Sequence, residues 1–428
     1  MSIACRIAGA SLMLLLLPVH ALAGQQRLAL AEAVDQARRQ HPRIEAARAA
    51  AEAAASRTEQ AGKWSNPHVL LYQENVPGAA PDADQTIVTA TQRIRIGGQL
   101  GLARSSARAV HDAAIAEVSM TVEQLTLAVQ RTYADSFRVQ ESARALEEAQ
   151  GTADRLLRDL EVRVQAGDAS RFDLLRMRLA AEGIAAERAR LAAELSSAAE
   201  RLAFLTGRDV PAGGWMFEDP VGAAYGPPPV GAEVTDDAPV AESPPASSPA
   251  AQTIAQRFDA QALEFRSRAA VSSAEAAGKD AIPDLVTTLG YTRLDPASDG
   301  LVWSVGVDLP LFDTRSAERA ARLAEARRLD RERDALLAEA SAAASAAALE
   351  FEQLSRALSG LRETPAAGRL GPIATIAYEE GEITVTGLLD AARAELEARL
   401  RELELAWARA DAWFRWRHES GRYLGGTP

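Results

Sequence analysis

The chain carries one pattern twice, about 215 residues apart, and that duplication limits the folds open to it. The stretch Gln165 to Leu175, with Gly167, Asp168, Ser170 and Asp173, is echoed by Glu379 to Leu389, with Gly381, Glu382 and Thr384. Thr206-Gly207-Arg208 returns as Ser420-Gly421-Arg422, and Ala61-Gly62-Lys63 before Pro67 returns as Ala277-Gly278-Lys279 before Pro283. The period is far too long for a solenoid and points to a duplicated half-protein. The two copies run over residues 24–209 and 252–428. Between them, residues 210–251 are rich in Pro, Gly, Ala and Ser and read as a flexible linker.

The first residues read as an export signal. Arg6 supplies a positive start, Leu12 to Val19 an apolar run, and Ala21-Leu22-Ala23 a cleavage site, so residues 1–23 are removed and the mature chain starts at Gly24. The run falls short of the roughly 20 apolar residues a membrane helix needs. The single cysteine, Cys5, lies inside the removed segment, so the mature chain has neither disulfide nor thiolate site. Gly24 rather than a cysteine follows the cleavage site, so no lipid is attached.

Hydrophobic residues make up 47% of the chain but aromatic ones only 5%, so alanine and leucine carry the apolar surface, as in long helices packed closely. A net charge of −12 argues against nucleic acid and against an anionic membrane surface. The first helical tract runs from about Leu28 to Gln60, interrupted at His41-Pro42. The second, about Leu100 to Val164, holds no proline and predicts a rod of roughly 100 Å. Along it Val118, Val122, Leu125, Val129 and Tyr133 step by three and four, the spacing of a coiled-coil seam. Further tracts follow over Arg171 to Leu205 and Ser316 to Glu363, and the last carries Leu396, Leu400, Leu403, Trp407 and Phe414. Gly167 and Gly381 can each end a helix in the left-handed conformation, and Asp168 or Ser170, Glu382 or Thr384, can start the next. Both echoes therefore read as tips of helical hairpins. Pro365 and Pro372 imply a kink or a broken turn before the second tip.

Elsewhere the period is two. From Leu301 to Leu311 the odd positions are Leu, Trp, Val, Val, Leu and Leu, while the even ones include Ser304, Gly306 and Asp308. Such a strand is long enough to cross a bilayer at a tilt. Its partner is Leu285 to Arg293; Val69 to Val76 and Thr86 to Ile96 form the matching pair in the first half. Arg93 and Arg95 fall on the face opposite Val88, Ile94 and Ile96, as suits a wet interior. Four strands cannot close into a membrane barrel, which needs about eight, and an open edge cannot sit in lipid. Strands pooled from several chains solve this; two chains and three remain open on this ground alone.

Signal, helix, strand hairpin, long helix, glycine-marked tip and returning helix, then the series again, resemble the TolC-type outer-membrane efflux factors. The likeness covers about Leu28 to Tyr423 and includes Gly62 with Asn66-Pro67, Gly97-Gly98, Ile282-Pro283-Asp284, Leu309-Pro310-Leu311-Phe312 and both tips. Ala377 to Ile383, Leu388 to Ala391, and Pro365 are most similar to the CzcC-like heavy-metal branch. The resemblance implies a mainly α fold with transmembrane β-strands. Three copies would form a twelve-stranded barrel in the outer membrane and a twelve-helix periplasmic tunnel. It further implies docking through the tips to a periplasmic membrane-fusion adaptor, and so to an inner-membrane proton-driven transporter. Such a protein is a passive duct for heavy-metal cations, without catalysis or cofactor. A multidrug or type I secretion duct shares the fold, and a non-pore periplasmic coiled-coil scaffold is the rival of a different class.

Within that frame Gly167, Asp168, Ser170, Gly381, Glu382 and Thr384 are the docking-tip residues. Asp390, Glu380 and Asp173 are candidates for an acidic constriction, a known pore device. The resemblance gives Asp390 the inward acidic position, with Gly387 where a second acid is expected and Glu379, Glu380 and Glu382 available instead. Asp168 and Glu382 are equally explained by the helix dipole. Tyr72, Tyr291 and Trp303 are candidates for an aromatic girdle at the bilayer interface, with plain strand packing as the other reading. The mature histidines, His41, His68, His111 and His418, are too scattered for a metal site, and no nucleophilic triad or phosphate-binding loop is present.

Overall fold

The computed structural model describes residues 26–75, 84–219, 251–295, 298–310, 312–363 and 369–423. The export signal, the strand-hairpin turns around Pro77-Gly78 and Pro296, Leu311, Pro365 and most of the expected linker lie outside the described residues. The first half runs β1 (Gln26–Leu28), α1 (Leu30–Gln40), α2 (Pro42–Ala61), β2 (His68–Asn75), β3 (Asp84–Ile94), α3 (Gln99–Ala166), α4 (Arg171–Thr206) and β4 (Trp215–Phe217). The second runs α5 (Ala251–Ala255), α6 (Phe258–Lys279), β5 (Asp284–Asp295), β6 (Ser298–Asp308), α7 (Ser316–Arg362), α8 (Leu370–Glu379) and α9 (Val385–Glu419).

Helix α3, 68 residues without a proline, is about 100 Å long and forms the spine. It packs with α2 and α6 at the strand end, and with α4 and α9 at the tip end. Helix α7 packs on α6 and then on α9, and α8 continues its direction towards the tip. The break between α7 and α8 stands where the prolines predict it, with Pro372 in the first turn of α8, where a missing N–H costs little. The interruption at His41-Pro42 also holds: Pro42 opens α2 and the His41 side chain caps it, accepting the Arg43 N–H at 3.2 Å.

The duplication has a structural meaning at each marker. Gly207 and Gly421 end their helices with φ of 70° and 73°. A Cβ on Gly62 would meet the Arg104 side chain at 3.2 Å, and one on Gly278 would meet Arg319 at 3.3 Å, so both halves bring an arginine stem against the same glycine. Small side chains allow close helix packing throughout; Ala344, Ala347 and Ala348 of α7 lie buried with Ala410, Trp413, Phe414 and Trp416 of α9.

The expected linker needs correction at its start. Trp215–Phe217 forms β4, which pairs parallel with β1, and Trp215 and Phe217 are buried against Leu28, Tyr133 and Leu202. The Tyr133 hydroxyl donates to the Leu28 carbonyl at 2.6 Å and accepts the Glu218 N–H at 2.9 Å. Burial pushes this phenol up to about 12. Gln140 brackets Phe217, accepting its N–H at 2.8 Å and donating to its carbonyl at 3.0 Å. The ordered first half therefore extends past residue 209, because two aromatic side chains find an apolar bed beside α3.

Candidate functional site: sheet face and hairpin tips

The four long strands form one antiparallel sheet in the order β2-β3-β5-β6, with the two halves joined along β3 and β5. Alternation along each strand divides its residues between two faces. One face carries the rows Leu71, Val88, Tyr291, Leu301 and Val69, Ala90, Leu289, Trp303, then Ile94, Leu285, Val307. Most of these apolar side chains are exposed, Trp303 at 72%. The opposite face carries Thr89, Thr91, Thr288, Thr292, Ser304 and Arg93. There Thr91 and Thr288 share a hydroxyl hydrogen bond at 3.0 Å, and Gln85 donates to Thr292 at 3.0 Å. Arg93 ties three strands together, reaching Asp308 at 2.9 Å and Asp284 at 3.7 Å. Exposed apolar side chains thus concentrate on one side, while the hydrogen-bonded threonines, Ser304 and Arg93 share the other with Leu70, Ile87, Val286 and Val302. Neither β2 nor β6 has a partner on its outer edge among the described residues.

The register separates the three girdle residues. Tyr291 and Trp303 share the apolar face, but Tyr72 pairs with Ile87 and projects from the polar one. The doubled apolar pair Leu70-Leu71 hides the alternation of β2, which only pairing with β3 fixes. Trp303 also stands at the middle of β6 rather than near either end.

At the other end of the molecule the two hairpin tips lie side by side. In the first, Gly167 adopts φ 86°, and Asp168 donates its N–H to the Arg163 carbonyl at 2.8 Å. Ser170 caps α4 by accepting the Phe172 N–H at 3.1 Å, and Asp173 sits in the first turn, where the helix dipole favours an acid. The second tip repeats the design. Gly381 has φ 81°, Glu382 donates its N–H to the Ala377 carbonyl at 2.8 Å, and Thr384 caps α9 from the Gly387 N–H at 3.4 Å. Both glycine-centred turns are the 6→1 closure that lets a helix stop abruptly.

Two arginines that motif reading passed over join the tips. The Arg163 guanidinium lies 5.2 Å from the centre of the Tyr378 ring. Arg176 donates to the Thr386 hydroxyl at 3.0 Å and reaches the Asp390 carboxylate at 3.7 Å. Beneath them Leu160, Met177, Val385 and Leu389 pack together. Asp390, the constriction candidate, is therefore charge-paired within its own chain, whereas Glu380 and Glu382 are exposed at the turn. Tyr378 lay inside a marked motif; Arg176 had no signal beyond its place on the same turn of α4 as Met177. Among the described residues no group of three or more His, Cys, Asp or Glu is placed to hold a metal ion, and no helix is long and apolar enough to cross a membrane.

This architecture is that of known outer-membrane channels. The structure of the outer-membrane channel OprN superposes with a TM-score of 0.75 at 18% identity, covering 92% of this chain and 89% of that one. Structures of CusC, studied for folding and transmembrane channel formation, give 0.73 at 17% identity over 94% and 95%. VceC from Vibrio cholerae gives 0.72 at 18% identity over 92% and 96%. No curated protein matches the chain by sequence. The family described as outer membrane efflux protein matches residues 250–418. The second half of the chain thus carries the outer membrane efflux protein signature, and the described chain as a whole has the TolC-like channel fold.

Proposed function

We propose that the protein is the outer-membrane channel of a tripartite efflux system in a Gram-negative envelope: a non-lipidated, signal-cleaved passive duct built from three copies. The observation that carries this reading is the four-stranded sheet, one face of which concentrates exposed apolar side chains and whose two edges are unpaired among the described residues. Lipid satisfies the face, and only neighbouring strands satisfy the edges. Twelve strands from three copies make a barrel with the threonine-rich, Arg93-bearing face inside. The 100 Å helices continue it across the periplasm.

The tips at Gly167–Ser170 and Gly381–Thr384 are the ends that meet a periplasmic adaptor, and through it a proton-driven inner-membrane transporter. Asp390, Glu380 and Asp173 lie at the narrow end, with Arg176 tempering the charge of Asp390. Heavy-metal cations are the proposed cargo, on the likeness of Ala377–Ile383 to the CzcC-like branch; drugs or secreted polypeptides are the alternative. The two repeats over 24–209 and 252–428 are the proposed units of the duplication, supported by the matched glycines.

The test is growth of a deletion strain and its complemented control across zinc, cobalt, cadmium, copper, silver and a panel of drugs, alongside fractionation. Heat-modifiable trimers in the outer membrane, with sensitivity to one or a few metals, support the proposal. Drug sensitivity alone moves the cargo; a soluble periplasmic monomer overturns the channel.

A further inference from the structure

Of the 47 lysine and arginine residues only Lys63 and Lys279 are lysines, and they hold the same place in each half. Each stands five residues before a strand, Lys63 before His68 of β2 and Lys279 before Asp284 of β5. Each follows the glycine against which an arginine stem lies, Arg104 at Gly62 and Arg319 at Gly278. Both halves thus bring one lysine and one arginine to a notch between neighbouring helices. Among the described residues none of these four makes an ion pair, whereas Arg93 and Arg315 nearby are paired with Asp284, Asp308 and Glu318. Glu59 and Glu275, one turn below the lysines, form no ion pair with them either. The notches lie where the apolar face of the sheet ends. Beyond its last paired row come Ile96 and Leu309, flanked by Trp64 and Phe312, all exposed. Lysines and aromatic rings at the edge of an apolar band suit a membrane interface.

Both lysines face outwards. Midway along α3, β4 covers the side that carries Tyr133 and Gln140, and the opposite side carries Arg131, Asp135 and Arg138. A tunnel wall one helix thick has room for a second layer only outside, so the β4 side is the outer one. Circling α3 there, the order is second-half helix, inner face, first-half helix. Near the strands the same order runs α6, the groove of Ser106, Val110 and Ser273, then α2. That groove is therefore luminal, and on α6 Lys279 projects away from it with Arg268, Val271 and Glu275, all exposed. Lys63 continues the last turn of α2, its N–H bonded to the Gln60 carbonyl at 3.0 Å, on the side of Glu52 and Glu59.

We infer that each notch holds the phosphate of an anionic phospholipid of the periplasmic leaflet, Lys63 acting with Arg104 and Lys279 with Arg319. No side chain answers these cations, and a phosphate does. The lysine reaches it as a point charge on a flexible stem, and the arginine, laid across a glycine, offers its fork of donors. The net charge of −12 still repels an anionic surface at a distance. The notches act at contact, within a Debye length of the headgroups. This inference rests on the channel reading, which sets the sheet in lipid, and adds the class of lipid held at its periplasmic edge.

The experiment is native mass spectrometry of the assembled protein released from nanodiscs of equal parts phosphatidylethanolamine and phosphatidylglycerol. Expected is preferential retention of phosphatidylglycerol by the unsubstituted protein, a readout that needs no variant to fold. Lys63→Gln with Lys279→Gln is expected to lower that preference about five-fold at each site. Lys63→Arg with Lys279→Arg keeps most of it, and Glu59→Gln with Glu275→Gln leaves it unchanged. An excess of inorganic phosphate is expected to displace no lipid; displacement overturns a lipid headgroup as the occupant. Trimers that retain both lipids equally, or glutamine variants that keep the full preference, overturn the notches and leave the channel standing. An unsubstituted chain that forms no trimers and enters no nanodisc overturns both.

Discussion

Arg131 in the first half of the chain and Asp411 in the second lie 2.5 Å apart, and Asp411 also takes Arg415, which in turn reaches Glu350 at 2.8 Å. The Asp411 side chain is only 9% exposed, so it is a nearly buried carboxylate held by two guanidinium groups across α3, α9 and α7. Removing it leaves two arginines facing each other. Because both arginines are partly solvated, Asp411→Asn is expected to cost about 1–2 kcal/mol, less than a fully buried pair. The check is a lower midpoint for heat or urea dissociation of the extracted protein, with Glu350→Gln costing less.

Gly290 of β5 tests the junction of the halves. A Cβ there would stand 2.5 Å from the Val88 carbonyl and 2.8 Å from Thr89, whereas one on Gly306 of β6 meets nothing within 4 Å. Gly290→Ala is expected to destabilise by about 1–3 kcal/mol through overpacking, and Gly306→Ala by less than about 0.5 kcal/mol. The yield of heat-modifiable material in outer membranes separates the two; equal yields would contradict the β3–β5 register.

At the tips, the Arg176–Asp390 contact is half exposed, so its worth is about 0.5 kcal/mol and its loss shifts a two-state opening two- to three-fold. Arg176→Ala and Asp390→Asn are each expected to raise open probability in planar bilayers by that factor, and the double variant no further. Additive effects would show that the two side chains act independently.

His41 is buried at the start of α2, with its ring against Phe204 at 5.6 Å between centroids. Burial, with Arg43 beside it, lowers its pKa below the usual 6.5. The unfolded chain therefore takes up a proton that the folded chain refuses once pH falls below about 6.5, and stability declines from there towards the lowered value. The slope per proton cannot exceed about 1.4 kcal/mol per pH unit. His41→Asn keeps a capping acceptor and is expected to flatten the acid limb of stability measured between neutral pH and pH 5. An unchanged limb would assign it elsewhere, His418 being the next group with a burial-lowered pKa.

Much of this architecture is legible in the amino-acid order because long helices and alternating strands impose their periods on every residue. The proline-free run of α3, the glycine and hydroxyl residues at both tips, and the alternation of β6 each follow from local rules. Relations across the fold were hidden. The three-residue strand β4 is too short to show a period, and its order comes from Tyr133 and Gln140, some 80 residues away. Tyr72 could be placed on a face only through its partner Ile87. Nothing local couples Asp390 to Arg176, because the contact exists only once two hairpins stand together.

The unlike edges of the chain have a genetic consequence. In the proposed three-copy assembly, a copy damaged at its β2 edge still offers a sound β6 edge, so normal neighbours accept it and the assembly it joins is spoiled. Such an allele is expected to be dominant when co-expressed with the wild type. Damage within the Arg131–Asp411 network destabilises only the chain that carries it, and that allele is expected to be recessive.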